Sequence, residues 1–249
     1  MVILKLPDEI ERARASSQIV AEVLNKLRDK VKPGVTTNEL DKFAEEVARK
    51  RGAKPAFKGY RGYPYSLCTS VNEEVVHGMP SERILIEGDI ISLDFGVFYN
   101  GFFGDAAITL PVGKITDTAR KLIDVTEQSL YVGIEQAKKG NRLGDISSSV
   151  QQTVESPGFS VVRDFVGHGI GRNLHEDPQI PNYGKKGRGI ELKSGMILAI
   201  EPMVNQGSYK VKILEDGWTV VTEDGMLSAH FEHSVAITDN GPEILSKLN

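Results

Sequence analysis

The chain has 249 residues, 40% of them hydrophobic and 26% charged, which is typical of a globular protein with a substantial core. A net charge of −4 without any basic run excludes a nucleic-acid-binding footprint. Cys68 is the single cysteine, so no internal disulfide can form, and no apolar run is long enough for a signal peptide or a membrane span; we expect a cytoplasmic protein.

Two amphipathic helices are predicted at the start of the chain. Asp8 can cap a long helix that the Pro-Gly pair at 33–34 ends. Thr36 and Glu39 have the spacing of a capping box and start a second helix. The segment 68–78, CTSVNEEVVHG, is predicted as a strand.

The stretch 92–107, SLDFGVFYNGFFGDAA, predicts a β-hairpin whose two-residue turn is Asn100-Gly101. In that register Gly96 faces Asp105, and Asp94 and Asp105 lie on one face, about 7–8 Å apart at the backbone. Carboxylates at that spacing raise each other's pKa unless a cation lies between them. The hairpin alone leaves open whether the pair binds a cation or is simply solvated.

The second half of the chain repeats this plan weakly. A helical run at 116–139 ends at a glycine 106 residues after the one that ends the first helix, and nearly the same offset carries Asp94 onto Glu201. Glu232 would then correspond to Asp105 on a second hairpin. We predict an α+β fold of two pseudo-symmetric helix–helix–hairpin halves, roughly 8–112 and 113–249, with four carboxylates at their seam.

Four clustered carboxylates require cations, and one imidazole is a common additional ligand of divalent metals. The candidate imidazole is His168 in GHGIGR, where the flanking glycines let the backbone turn sharply. A tight turn with a polar side chain is the alternative interpretation. A phosphate-binding loop is disfavoured because the required glycine spacing and the Lys-Ser/Thr pair are absent.

These residues resemble those of the pita-bread metallopeptidases and, more narrowly, of the type I methionine aminopeptidases. The segments that carry the resemblance are VVHGMP, GHGIGRNLHEDPQIPNY, AIEPM and LEDGWTV, and the similarity spans essentially the whole chain. It implies a single catalytic domain, residues 1–249, built around a curved antiparallel sheet. It also implies two divalent ions (Co, Mn, Fe or Zn) on five ligands: Asp94, Asp105, His168, Glu201 and Glu232.

The resemblance implies a role for each ligand. Asp94 would bind one ion, and His168 and Glu201 the other. Asp105 and Glu232 would bridge the two ions. Glu201 would also act as general base for a water or hydroxide between the ions, which attacks the first peptide bond.

Histidines outside the ligand set are of two kinds. By resemblance, His77 and His175 would bond the scissile peptide and stabilise the tetrahedral intermediate; a satisfied structural histidine is the alternative for each. His230 and His233 flank Glu232, and we expect both to lie on the face opposite to it, as supporting or structural residues.

An apolar pocket for a methionine side chain is also implied, with plain core packing as the alternative for each lining residue. Leu174 stands where many relatives have phenylalanine, and Arg61 where some have histidine. Cys68 is rejected as a nucleophile because its neighbours in sequence offer no paired base. The implied substrate-binding residues are Phe57, Tyr60, Tyr63, Cys68, His77, Leu174, His175 and Trp218.

The predicted function is metal-dependent removal of the initiator methionine from nascent proteins and peptides with a small second residue, by a monomer working transiently near the ribosome. Two alternatives remain. The Xaa-Pro aminopeptidase or prolidase branch usually carries an extra N-terminal domain, whereas about thirty residues precede the first repeat here. A non-catalytic pita-bread binding module typically loses ligands, whereas this sequence keeps all five. The short spacings around Glu201 leave no room for the insertion of type II enzymes.

Overall fold

The computed structural model describes residues 2–247, which form an α+β structure. Four helices are present in this range: α1 (Pro7–Arg28), α2 (Thr37–Lys50), α3 (Asp117–Gln136) and α4 (Leu143–Glu155). No helix of the described part of the chain is long and apolar enough to cross a membrane. The strands are β1 (Lys54–Pro55), β2 (Leu67–Val71), β3 (Glu74–Val76), β4 (Ile90–Tyr99), β5 (Phe102–Pro111), β6 (Ser160–Val161), β7 (Gly167–Gly169), β8 (Glu176–Ile180), β9 (Ile197–Ile200), β10 (Met203–Asn205), β11 (Val211–Ile213), β12 (Val220–Thr222), β13 (Ser228–His230), β14 (Glu232–Thr238) and β15 (Gly241–Ile244).

Nine of these strands make one antiparallel sheet in the order β1-β4-β5-β14-β9-β7-β8, with β2 also on β4 and β15 also on β14. The hairpin β4–β5 belongs to the first half of the chain, and the pair β9–β14 to the second. They meet where β5 pairs with β14, and Glu232 lies opposite Ala107 there. Two helix pairs and two strand pairs are therefore arranged symmetrically about this seam, as the internal similarity predicts.

The hairpin has the predicted register, with Gly96 opposite Asp105. Asn100 and Gly101 form its turn with φ angles of 50° and 82°, the left-handed conformations that a type I′ turn requires. Asp94 and Asp105 consequently project from the same face. Asn-Gly is therefore the local signal that sets which face of each strand carries the carboxylates.

Helix α1 packs directly on the back of this hairpin. A Cβ atom on Gly104 would lie 2.6 Å from the backbone nitrogen of Ser17, so only glycine permits this approach. Ser16 Oγ lies 3.0 Å from the carbonyl oxygens of both Tyr99 and Phe102, and so ties the helix to the turn. The strand that carries Asp105 is thus backed by a helix in close contact with it.

Two local predictions were wrong. Helix α1 begins at Pro7, one residue before Asp8, and the Glu9 carboxylate accepts a hydrogen bond of 2.9 Å from the N–H of Leu6. The segment 68–78 is interrupted at Asn72, whose φ of 60° starts a turn between β2 and β3. A chain reversal at Asn72 divides one predicted strand into two short ones.

Candidate metal centre and active site

The five predicted ligands come from five neighbouring strands of the main sheet. Glu232 pairs with Ala107, so it shares the face that carries the two hairpin aspartates. Glu201 follows β9 directly, and His168 in β7 lies opposite Ala199 of β9. Strand alternation then places all five side chains on one face: Asp94 on β4, Asp105 on β5, Glu232 on β14, Glu201 after β9 and His168 on β7.

The ligand atoms of this group lie about as close together as the ligands of a single metal ion do. One atom each of Asp105, His168 and Glu232 lies within 4.8 Å of the other two. His168 Nε2 is 3.6 Å from Glu201 Oε1. Two ligands on opposite sides of an ion, each about 2.1 Å from it, are separated by roughly 4.2 Å. Small inward movements of these side chains would complete such a sphere.

Several oxygen atoms of the group have no hydrogen-bond partner within residues 2–247. They are Asp94 Oδ1, Asp105 Oδ1 and Glu232 Oε1, all buried. Because a buried carboxylate oxygen without a partner is costly, such atoms are normally explained by an ion or an ordered water. The carboxylate-rich set with one imidazole therefore fits a divalent metal.

Burial also shifts the acid–base behaviour of the group. It raises the pKa of Asp94 to about 7 and that of Glu201 to about 8. The pKa values of Asp105 and Glu232 are also raised well above their usual range, by burial and by the neighbouring carboxylates. Burial lowers the pKa of His168 to about 3, so its imidazole is neutral and available as a ligand. Without a cation, protons must neutralise the carboxylates.

His77 and His175 line the same cavity as the ligands. His175 Nδ1 is 2.9 Å from the hydroxyl of Tyr60, and its ring centroid is 4.3 Å from that of His168. His77 has a left-handed backbone, with φ of 60°, and its ring makes an edge contact with Trp218 at 6.3 Å. Burial lowers the pKa of both histidines, to about 4 for His77, so both imidazoles are neutral at pH 7.

An apolar recess adjoins the ligands in the same cavity, whose volume is about 160 Å³. Tyr63 and Trp218 meet edge to face at 5.1 Å, and the Tyr63 hydroxyl donates toward the carbonyl oxygens of Leu67 and Gly78. Burial, then Asp94, raise the pKa of the Cys68 thiol, which leaves it un-ionised and supports its rejection as a nucleophile. The residues proposed for the methionine pocket all line this cavity: Phe57, Tyr60, Tyr63, Cys68, Leu174 and Trp218.

His230 is the residue for which the sequence-based interpretation was wrong. Its side chain is 1% exposed, and its Nε2 lies 3.5 Å from Glu201 Oε2. The strand is interrupted at Phe231. Before it, β13 pairs with β10 in a separate sheet, and after it, β14 joins the main sheet. The spacing itself contradicts the expectation, because His230 and Glu232 are two residues apart and side chains at i and i+2 of a strand share a face. His233 does face away from the ligands, with its Nδ1 2.8 Å from Ser246 Oγ.

Comparison with known proteins agrees with this geometry. Residues 11–239 match the family described as Metallopeptidase family M24. The chain is 60% identical to a methionine aminopeptidase of Clostridium perfringens over the full length of both proteins. It superposes on the crystal structure of methionine aminopeptidase from Thermotoga maritima with a TM-score of 0.98 and 51% identity, covering all of both chains.

A prolidase from Pyrococcus furiosus is a more distant structural neighbour, with a TM-score of 0.81 and 24% identity over 99% of this chain and 66% of that one. At that identity it supports the pita-bread fold alone, which is confirmed. The fold and the ligand-rich face are those of an M24 metallopeptidase, a class that uses divalent metal. The chain belongs to this family and, within it, to the methionine aminopeptidases.

Metal binding is expected to release protons, and to stabilise the protein more at higher pH. The raised pKa values mean that the folded, metal-free protein binds more protons than the unfolded chain, whose carboxyl pKa values are near 4. That part of the stability is complete below about pH 4 and is lost as the pH rises through about 7 for Asp94 and 8 for Glu201. A metal ion replaces those protons.

Calorimetry of Mn²⁺ binding in buffers of different ionisation enthalpy measures the released protons, and thermal unfolding with and without Mn²⁺ between pH 6 and 9 measures the stabilisation. Asp94→Asn together with Glu201→Gln should reduce the proton release. A Mn²⁺-induced rise in Tm that shrinks with increasing pH would contradict the expectation.

Replacing His230 by leucine is expected to weaken metal binding by roughly 10- to 100-fold, the usual effect of removing a residue that supports a metal ligand. His230 Nε2 is buried without a hydrogen-bond partner in residues 2–247 and lies 3.5 Å from Glu201 Oε2, so a small approach lets it donate to Oε2 and leave Oε1 directed at His168. His230→Gln keeps a donor and should lose far less. Mn²⁺ titration monitored by electron paramagnetic resonance measures the affinity, and His233→Leu, on the opposite face, is the matched control. Equal affinities in the leucine and glutamine variants would contradict this role.

Proposed function

We propose that this chain hydrolyses the first peptide bond of proteins and peptides that begin with methionine followed by a small residue. The observation that carries the proposal is the single cavity in which an apolar recess adjoins the five-ligand cluster. The recess would accept an unbranched thioether side chain, which suits a lining of aromatic and small apolar groups. The first peptide bond would then lie beside the ligands.

Two divalent ions are proposed on Asp94, Asp105, His168, Glu201 and Glu232, since five ligands, four of them carboxylates, exceed what one ion of moderate size needs in addition to water. Mn, Fe, Co and Zn all accept such a mixed oxygen and nitrogen set. When bound, the metal would lower the pKa of a water and polarise the scissile carbonyl.

Glu201 is proposed as the group that moves the proton. Its Oε1 faces His168 and the ligand cluster, whereas Oε2 faces His230. A carboxylate in this position can take a proton from the attacking water and pass it to the departing amine. Burial, which strongly favours its neutral form, makes the protonated carboxyl an accessible intermediate state.

His175 and His77 are proposed to bind the reacting peptide from the opposite side to the carboxylates. The Tyr60 hydroxyl occupies His175 Nδ1, which leaves Nε2 free for the substrate. Because the lowered pKa values keep both rings neutral, they can donate hydrogen bonds to the developing oxyanion without adding a full charge to the site.

The physiological setting is part of the proposal. We place residues 1–249 in one catalytic domain that works as a monomer in the cytoplasm, on N-termini that emerge near the ribosome. The buried free thiol of Cys68 supports a reducing compartment. A small second residue is expected because the first peptide bond must approach the ligand cluster closely.

The test uses purified protein that is stripped of metal and reloaded separately with Mn, Fe, Co or Zn. Release of the first residue is followed for Met-Ala-Ser, Met-Leu-Ser and Ala-Pro-Ser. Metal-dependent release from Met-Ala-Ser alone supports the proposal. Cleavage of Ala-Pro-Ser instead would place the activity in the proline-specific branch, and metal uptake without any turnover would favour a binding module.

Changing His77 to alanine is expected to lower kcat about 10²- to 10³-fold, the usual effect of losing one oxyanion donor, with metal content preserved. The His77 ring contacts those of Trp218 and Phe165, and His77 is not among the residues with a buried, unpartnered side-chain atom. Kinetics with Met-Ala-Ser and metal analysis of the same sample check both parts, and Asp105→Asn is the control that should lose metal. Metal loss in proportion to activity would make His77 a ligand.

A further inference from the structure

Arg61 lies on the wall of the active-site cavity and is exposed to solvent. It belongs to a tight turn, 60–62, and adopts a left-handed backbone conformation with φ of 50° and ψ of 22°. Its guanidinium lies over the ring of Tyr60, with the Cζ atom 5.3 Å from the ring centroid. This stacking places a cation at the mouth of the cavity, next to the residue that hydrogen-bonds His175.

The guanidinium forms no ion pair within residues 2–247, and its contact with Tyr60 leaves its fork of N–H donors free. Apart from histidines, it is the single cationic group among the described residues that line the cavity. Its charge nevertheless lies close to the reacting region, because the Tyr60 ring on which it stacks is 5.4 Å from the ring of His175 and the Tyr60 hydroxyl is 2.9 Å from His175 Nδ1. The substrate is therefore exposed to a positive charge that no side chain of the protein neutralises.

The position of this charge corresponds to a defined part of the substrate. Arg61 Cζ is 5.3 Å from the Tyr60 ring centroid, and that centroid is 5.4 Å from the ring of His175. These two lengths together set an upper limit on the separation, and an extended chain, which advances roughly 3.3 Å per residue, covers that limit with about three residues. If the first peptide bond lies at His175 and the chain leaves toward the mouth, its third or fourth residue passes the guanidinium.

We propose that Arg61 is a specificity-determining residue that favours substrates with an acidic side chain at the third or fourth position. This inference rests on the proposed function and adds a substrate class to it. A carboxylate suits the guanidinium because its two oxygens match the planar donor fork. A lysine at the same position would be repelled. The interaction is exposed, so its effect is modest and depends on salt.

A free C-terminal carboxylate on a short peptide offers the same chemistry as an acidic side chain. The test therefore uses amidated pentapeptides, Met-Ala-Xaa-Ser-Gly-amide and Met-Ala-Ser-Xaa-Gly-amide, with Xaa as Asp, Asn or Lys. For the metal-loaded enzyme at low salt we expect kcat/KM to be about two- to fivefold higher for Asp than for Asn at one of the two positions. Lys should fall below Asn, and 0.5 M NaCl should compress the differences.

Two charge variants and a control separate the contribution of Arg61 to the substrate preference from other effects. Arg61→Gln should bring the Asp/Asn ratio close to one, and Arg61→Glu should invert the order so that Lys is preferred. Arg120→Gln makes the same charge change on the exposed surface of α3 and should keep the wild-type ratio.

Three results would overturn the proposal: equal rates for Asp and Asn in the wild-type enzyme, a preference that survives in Arg61→Gln, or a preference that appears only when the C-terminal carboxylate is free. Hydrolysis of the neutral Asn peptide reports separately on the proposed function. If that peptide is not cleaved with any metal, the aminopeptidase assignment fails, whereas cleavage without a charge preference removes only the role of Arg61.

Discussion

The cost of burying four carboxylates on one face of a sheet is the constraint on which the rest of this structure depends. Asp94, Asp105, Glu201 and Glu232 are removed from water and lie close enough to raise one another's pKa. Packing alone does not relieve such repulsion; protons or metal ions must neutralise it. The same face is therefore a source of instability in the metal-free protein and the source of its chemistry once metal is bound.

The pseudo-symmetric arrangement brings carboxylates from distant parts of the chain onto this one face. Each half contributes a strand pair, and the halves join where Glu232 lies opposite Ala107. Gly104 lets α1 approach the hairpin closely, so the strand that carries Asp105 is supported from behind. Rigid strands, rather than loops, therefore hold most of the ligands, which suits a centre that needs geometry accurate to fractions of an ångström.

The sequence predicted the structure correctly where short-range signals determine it. The Asn100-Gly101 turn gives the hairpin register, and the register gives the common face of the two aspartates. The prediction failed where the structure depends on which strands pair with each other in the folded protein. Nothing local shows that β13 and β14 join different sheets at Phe231, or that His230 approaches Glu201, although its two-residue spacing from Glu232 is compatible with a common face. The ligand set itself depended on resemblance, because spacing along the chain does not show which of many acidic residues converge.

The limited, buried space beside the ligands suits a reaction that removes one residue and does not cut within a chain. Tyr63 and Cys68 on its wall are buried, and Trp218 meets Tyr63 edge to face. The whole cavity has a volume of about 160 Å³, so the space beside the ligands is limited. In the proposed function the terminal side chain occupies this space, and the remainder of the substrate leaves past His175. Selection for methionine and restriction to the N-terminus then follow from the same wall of side chains.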